Sequence, residues 1–220
     1  MALGTEFPII STGNLYTAID TYASSVSTQP PINSPSWPNG ALNPAGAAYL
    51  LAPGAGQSAN LGAAANYGAN GAGAPLIVRY VRYHSTANPN LLAYPAPVYW
   101  VDETYTTVTG VFSESLGAGN PNALAGWLLP NYTALGLTAA AAAAALNGNW
   151  CFIATKGFVP AAAVVALTAI GDALVGATGN FTVARVASGT APTSRYVAIA
   201  QSAVTGNVTS DINIFTDLTY

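Results

Sequence analysis

Charge is what this sequence has least of. Asp, Glu, Lys and Arg make up 6% of its 220 residues, against about 25% in an ordinary soluble domain. Only five residues are basic, Arg79, Arg82, Lys156, Arg185 and Arg195, and the net charge is −3. A protein that grips phosphates needs a basic face, so nucleic acid is set aside as a partner. One histidine, His84, and one cysteine, Cys151, exclude an internal disulfide framework and cannot between them fill a zinc site. Long apolar runs are missing too. Leu135 to Leu146 and Pro160 to Ile170 are short and Ala-dominated, well below the ~20 residues of a membrane helix. The first residues, Met-Ala-Leu-Gly-Thr-Glu, lack the basic start and long apolar core of a signal peptide. The expectation is synthesis in a reducing cytoplasm, with no membrane as partner.

What is present is apolar or neutral. Hydrophobic residues account for 51%, much of it alanine, and the polar balance is carried by Thr, Ser and Asn. Such a surface suits lasting contact with other protein surfaces, because few charges must be desolvated.

The inventory for catalysis is thin, since an activated nucleophile, base or acid is required. His84 follows Arg79-Tyr80-Val81-Arg82-Tyr83 at the end of an expected strand and reads as a solvated surface residue. No Gly-x-Ser-x-Gly elbow exists. Asp102-Glu103 is the only adjacent acidic pair, and it reads as a solvated turn instead of a calcium site. Asp172 reads as a turn residue preceding a strand. Cys151, inside Trp150-Cys151-Phe152-Ile153, reads as a buried small hydrophobe. The glycines of residues 68–73 have no Walker pattern around them. Asn-x-Thr sequons at Asn131, Asn180 and Asn207 carry little weight in a chain without a signal peptide. The expectation is a protein that is not an enzyme and needs no cofactor or metal.

Composition shifts near residue 75. Residues 1–75 are rich in Pro, Gly, Ala and Asn, and this segment reads as an extended arm or long loop that cannot keep regular helix or strand, because Pro removes donors and Gly is costly to order. Apolar anchors punctuate it, among them Phe7, Ile9, Tyr16, Tyr22, Trp37 and Tyr49. Free disorder is poor in such residues, so they should be buried against the chain's own domain or a neighbouring subunit, and these six are the candidate subunit or capsid contacts.

Residues 76–220 carry β-signals at short intervals. Leu76 to Tyr83 forms a strand with Arg79, Val81 and Tyr83 on one face and Val78, Tyr80 and Arg82 on the other. Pro97 to Val101, a turn at Asp102-Glu103-Thr104, and Tyr105 to Phe112 form a hairpin. Further strands are expected at 125–129, 149–154, 173–175, 181–186, 196–202 and 212–215. Thr138 can cap the alanine run Ala139 to Ala145 as a helix closed by Asn147-Gly148, though a flat Ala-lined strand is equally open. The fold expected is mostly β, a small barrel or sandwich domain with a long N-terminal arm and at most one or two short helices.

The running order of motifs in residues 97–200 carries a resemblance. Pro97-Val98-Tyr99-Trp100-Val101-Asp102 comes first, then Thr107-Val108-Thr109-Gly110-Val111 and Ala125-Gly126-Trp127-Leu128-Leu129. Gly148 to Gly157, Gly171-Asp172-Ala173-Leu174-Val175 and Tyr196-Val197-Ala198-Ile199-Ala200 follow. This order resembles that of the capsid decoration, or cement, proteins of tailed bacteriophages. The resemblance implies a β-barrel or β-sandwich domain, commonly a homotrimer, on the exterior of a virion capsid, bound across major capsid protein subunits. A principal shell-forming capsid protein is the alternative, since low charge and a long N-terminal arm also describe jelly-roll coats. A carbohydrate-binding or adhesive module is a third reading, with Trp37, Trp100, Trp127 and Trp150 as stacking surfaces, although Trp100 and Trp150 fall in strands where core packing is expected.

Overall fold

A computed structural model describes residues 9–10, 48–51, 76–92, 94–128, 138–148, 150–165, 168–186, 189–191, 195–204 and 209–216. The fold is mostly strand, with one α-helix and a closed five-stranded β-barrel among the described residues. Its strands are β1 (Ile9–Ile10), β2 (Ala48–Leu51), β3 (Leu76–Tyr83), β4 (Ala96–Trp100), β5 (Thr107–Thr109), β6 (Leu124–Leu128), β7 (Trp150–Ala163), β8 (Ala173–Gly176), β9 (Val183–Val186), β10 (Tyr196–Ala200) and β11 (Thr209–Phe215). The helix α1 spans Ala139–Leu146.

The barrel closes in the order β3-β5-β4-β6-β7, with β7 returning to β3. Each expected strand is present, and β3 matches its expected span residue for residue. The β4–β5 hairpin is also there, but its second strand is only three residues long. Beyond it the chain turns into a 3-10 turn at Phe112–Glu114. Thr138 caps α1, its Oγ1 accepting from Ala141 N–H at 3.2 Å, which decides between the helix and the flat strand that the alanine run left open.

One strand is far longer than its local signal. Residues 149–154 read as a short strand, yet β7 runs through Pro160 to Ala163. Along its first half β7 pairs with β3, and along its second with β11. The β11 ladder shifts register between Val159, opposite Ile212, and Ala162, opposite Ser210. Pro160 sits inside that bulge, where its missing N–H breaks no ladder bond. β7 thereby joins the barrel to a second antiparallel layer, β11-β10-β8-β9.

The two faces expected of β3 go to two different cores. Val81 and Tyr83 join Val98, Trp100, Val108, Ala125, Cys151 and Ile153 in a cluster fed by all five barrel strands and by Ala142, Ala143 and Leu146 of α1. A set drawn from every stave is the barrel interior. Val78 and Tyr80 join Tyr99, Leu124, Trp127, Phe152, Leu174, Val183, Val197, Ile212 and Ile214 in the second cluster, between the barrel wall and the second layer. Closure of the barrel depends on one glycine. A Cβ at Gly126 would stand 2.2 Å from the Ala154 carbonyl oxygen, so the β6–β7 approach admits no side chain there.

The arm differs from its sequence reading in one respect. Two pieces of it are strands after all: β2 runs antiparallel on Leu76–Arg79 of β3, and β1 runs parallel on β2. The reason lies in β3, whose edge meets β5 only at Arg82 and Tyr83. The upstream half therefore offers free backbone groups, and Ala-Tyr-Leu-Leu, with neither Pro nor Gly, can take them.

Candidate assembly surface

Of the six candidate contact residues, Ile9 lies in β1 and Tyr49 in β2, where Tyr49 stands opposite Val78 and Ile9 opposite Leu50. Phe7, Tyr16, Tyr22 and Trp37 lie outside the described residues. What brings Ile9 and Tyr49 to the barrel is a backbone ladder along one edge of β3. Sequence reasoning named candidate anchors but not this edge, since nothing local in Leu76 to Tyr83 says which half of the strand its neighbours will leave open.

The residues weighed for chemistry are scattered. His84 is exposed, and its backbone N–H donates to Val108 O at 2.9 Å. Asp102 Oδ1 accepts from the N–H and hydroxyl of Thr104 at 3.0 and 2.6 Å, a self-contained turn. Asp172 does precede a strand, as expected, but it is buried. Its Oδ2 accepts from Ala169 N–H at 2.8 Å and from Arg185 on β9 at 3.2 Å. The pair ties the turn before β8 to the outermost strand of the second layer. Cys151 is wholly buried in the barrel, and burial pushes its thiol pKa far up, which removes the thiolate needed for reactivity. Among the described residues no three His, Cys, Asp or Glu come together as a metal site, and no helix is long and apolar enough to cross a membrane. A cleft of about 280 Å³ opens between Leu92, Tyr94, Val164, Val165 and Phe181. Among the described residues of its lining there is no carboxylate, histidine or amine, so they offer shape without acid–base chemistry.

No family model matches this chain, and no curated protein shows similarity to it. Function therefore rests on the chemistry of the surface. Trp100 and Trp127 are both buried, which takes two of the four tryptophans away from any ligand-stacking role. Among the described residues the exposed large apolar side chains are Tyr105, Ile170 and Tyr196. Tyr105 meets Trp100 edge-on at 5.6 Å, and the Arg79 guanidinium lies 5.7 Å from the same indole. Tyr196 meets Phe215 edge-on at 5.6 Å. These are single aromatic posts on a neutral surface, the residue types that anchor protein contacts.

One carboxylate braces the barrel mouth. Glu114 accepts from Ala87 N–H at 2.9 Å and from the Thr109 hydroxyl at 2.8 Å. Burial pushes its pKa upward, but the donors at Ala87, Thr109, Ser85 and Thr86 outweigh it and hold the carboxyl below its ordinary value of 4.5. A carboxyl depressed in the folded state contributes stability above its unfolded pKa and loses it as pH falls through the folded one. Glu114→Gln should therefore lower the unfolding midpoint at pH 7 and lose its effect progressively below pH 4.5. Urea titrations of both proteins across that range would show it, and a pH-independent difference would exclude the brace.

Proposed function

We propose that this chain is a non-enzymatic structural protein of a bacteriophage virion. In this reading it decorates the capsid exterior and stabilises the shell by binding across neighbouring major capsid protein subunits. It self-associates, most simply as a homotrimer, and needs neither nucleic acid nor membrane. The observation that carries the reading is the mode of attachment of the N-terminal region, which meets the barrel as strands added to the open half of the β3 edge. Strand addition supplies affinity through main-chain hydrogen bonds and leaves the rest of an arm free to lie on a neighbour.

Three further features support it. The described strands β3 to β11 contain two buried apolar clusters of their own. The surface is nearly without charge, and many weak neutral contacts repeated by symmetry add up through multivalency. The single histidine and single thiol stand apart, one exposed and one sealed in the barrel. The burial of Trp100 and Trp127 weighs against the carbohydrate-binding reading.

The test is the mass of the purified chain by light scattering, followed by co-sedimentation with bare shells of the encoding phage. A discrete trimer that sediments with shells is the expected result. Closed shells formed by the chain alone would make it the principal coat protein, and a monomer that ignores shells would overturn the proposal. Deleting residues 1–40 leaves β2 and the barrel in the chain, and should abolish sedimentation with shells while preserving the unfolding transition.

A further inference from the structure

We propose that in the assembled protein β2 of one copy pairs with β3 of the next, so that arms are exchanged between subunits and this exchange joins them. The inference deepens the assembly reading above and rests on it. Leu51 stands opposite Leu76 in an antiparallel ladder, the arrangement of a hairpin, and hairpins close over two to five residues. Here the connection is residues 52–75, 24 residues of which six are glycine. Its ends need to be only one strand spacing apart, about 5 Å. A connection of 24 residues can reach at most about 80 Å. A connection of that length is long enough to reach the same edge on a neighbouring copy as well as its own.

The edge itself carries little of the usual protection. Exposed edges are normally blunted by charge, proline or an outward bulge. Arg79, opposite Ala48, is the one charged residue in the ladder between Leu76–Arg79 and Ala48–Leu51; neither segment carries a proline, and the ladder has no register shift. Both strands are built to be paired, and the pairing has the same register within a chain or between chains. Exchange therefore adds connectivity between subunits at little cost in contacts, as in other swaps of identical elements. Each copy gives one β2 and receives one, which closes a ring when the rotation between copies allows it.

The full chain carrying Leu50→Cys and Ile77→Cys tests this, because these residues are directly opposite in the ladder and such positions suit a disulfide. After mild oxidation, non-reducing gels should show covalent oligomers whose size matches the native mass. A disulfide confined within single chains overturns the exchange but leaves shell binding open, and persistently free thiols overturn it as well. Covalent oligomers that fail to bind shells would instead overturn the decoration reading and leave the exchange standing. A second variant needs no cysteine. Deleting residues 55–72 leaves six residues between β2 and β3, enough to close a hairpin within a chain but too short to reach a neighbour. Its mass in solution should fall to that of a monomer, and an unchanged oligomer would overturn the proposal.

Discussion

Replacing Trp127 with alanine should cost about 3–5 kcal/mol of folding stability, the range for emptying a fully buried aromatic site. Trp127 is completely buried between the barrel wall and the second layer. It lies on β6, opposite Pro97 of β4 and Ala154 of β7, where neighbouring strands leave little room for collapse into the gap. Its indole Nε1–H donates to Ala163 O at 3.2 Å, binding the far end of β7 back to the barrel. Trp127→Phe separates the two contributions. It keeps most of the apolar volume and removes the bond to the Ala163 carbonyl, a loss of about 0.5–1.5 kcal/mol. Denaturant unfolding at constant m-value would measure both, and equal losses for the two variants would show that the hydrogen bond and not the volume dominates.

Gly110 and Phe181 should behave as a coupled pair. Phe181 sits between β8 and β9, almost fully buried, with its ring stacked on Tyr83 at 6.4 Å and 11° inside the barrel cluster. Its N–H donates to Gly110 O at 2.6 Å, and Val111 bridges to Asn180 alongside. Tyr99 fastens the same hairpin from the barrel wall, its hydroxyl donating to Thr182 O at 2.6 Å and accepting from Ala177 N–H at 3.1 Å. A Cβ at Gly110 would lie 2.1 Å from the Phe181 ring, and a ring packed on all sides cannot step aside. Gly110→Ala should therefore destabilise by about 1–3 kcal/mol through overpacking, and Phe181→Ala by about 3–5 kcal/mol through the cavity it leaves. In the double variant the methyl occupies space the ring has vacated, so its loss should fall short of the sum by at least about 1 kcal/mol. Strict additivity in a double-mutant cycle would show that the hairpin is not latched through this contact.

Phe181 also shows where reading by local pattern stops. It was expected as the first residue of a strand, and it is instead a turn residue with φ of 52°, a left-handed conformation that aromatic side chains rarely adopt. That conformation survives because the ring is seated in the barrel and the flanking backbone groups are paired with Gly110 and Phe112. Tyr105, φ 54°, holds a similar position at the β4–β5 turn against Trp100. Neither constraint is local, so neither is visible in the residues beside them.

The alternation of Val78 and Tyr80 against Val81 and Tyr83, the Thr138 cap on an alanine run, and the turn residues between short β-branched segments were all determined by the sequence alone. Each depends on the period of a strand or on contacts within a single turn. The scarcity of charge, and with it the neutral surface, needs no fold to be known. Tertiary structure decided which strands became neighbours: that β7 would continue through Pro160 because it bulges there against β11, that β3 would close a barrel with β7, and that β5 would stop short and leave an edge for β2. Those outcomes depend on contacts between residues far apart in the chain. A pairing partner leaves no periodic mark on the strand it will join, because backbone groups, which are the same in every residue but proline, make the bond.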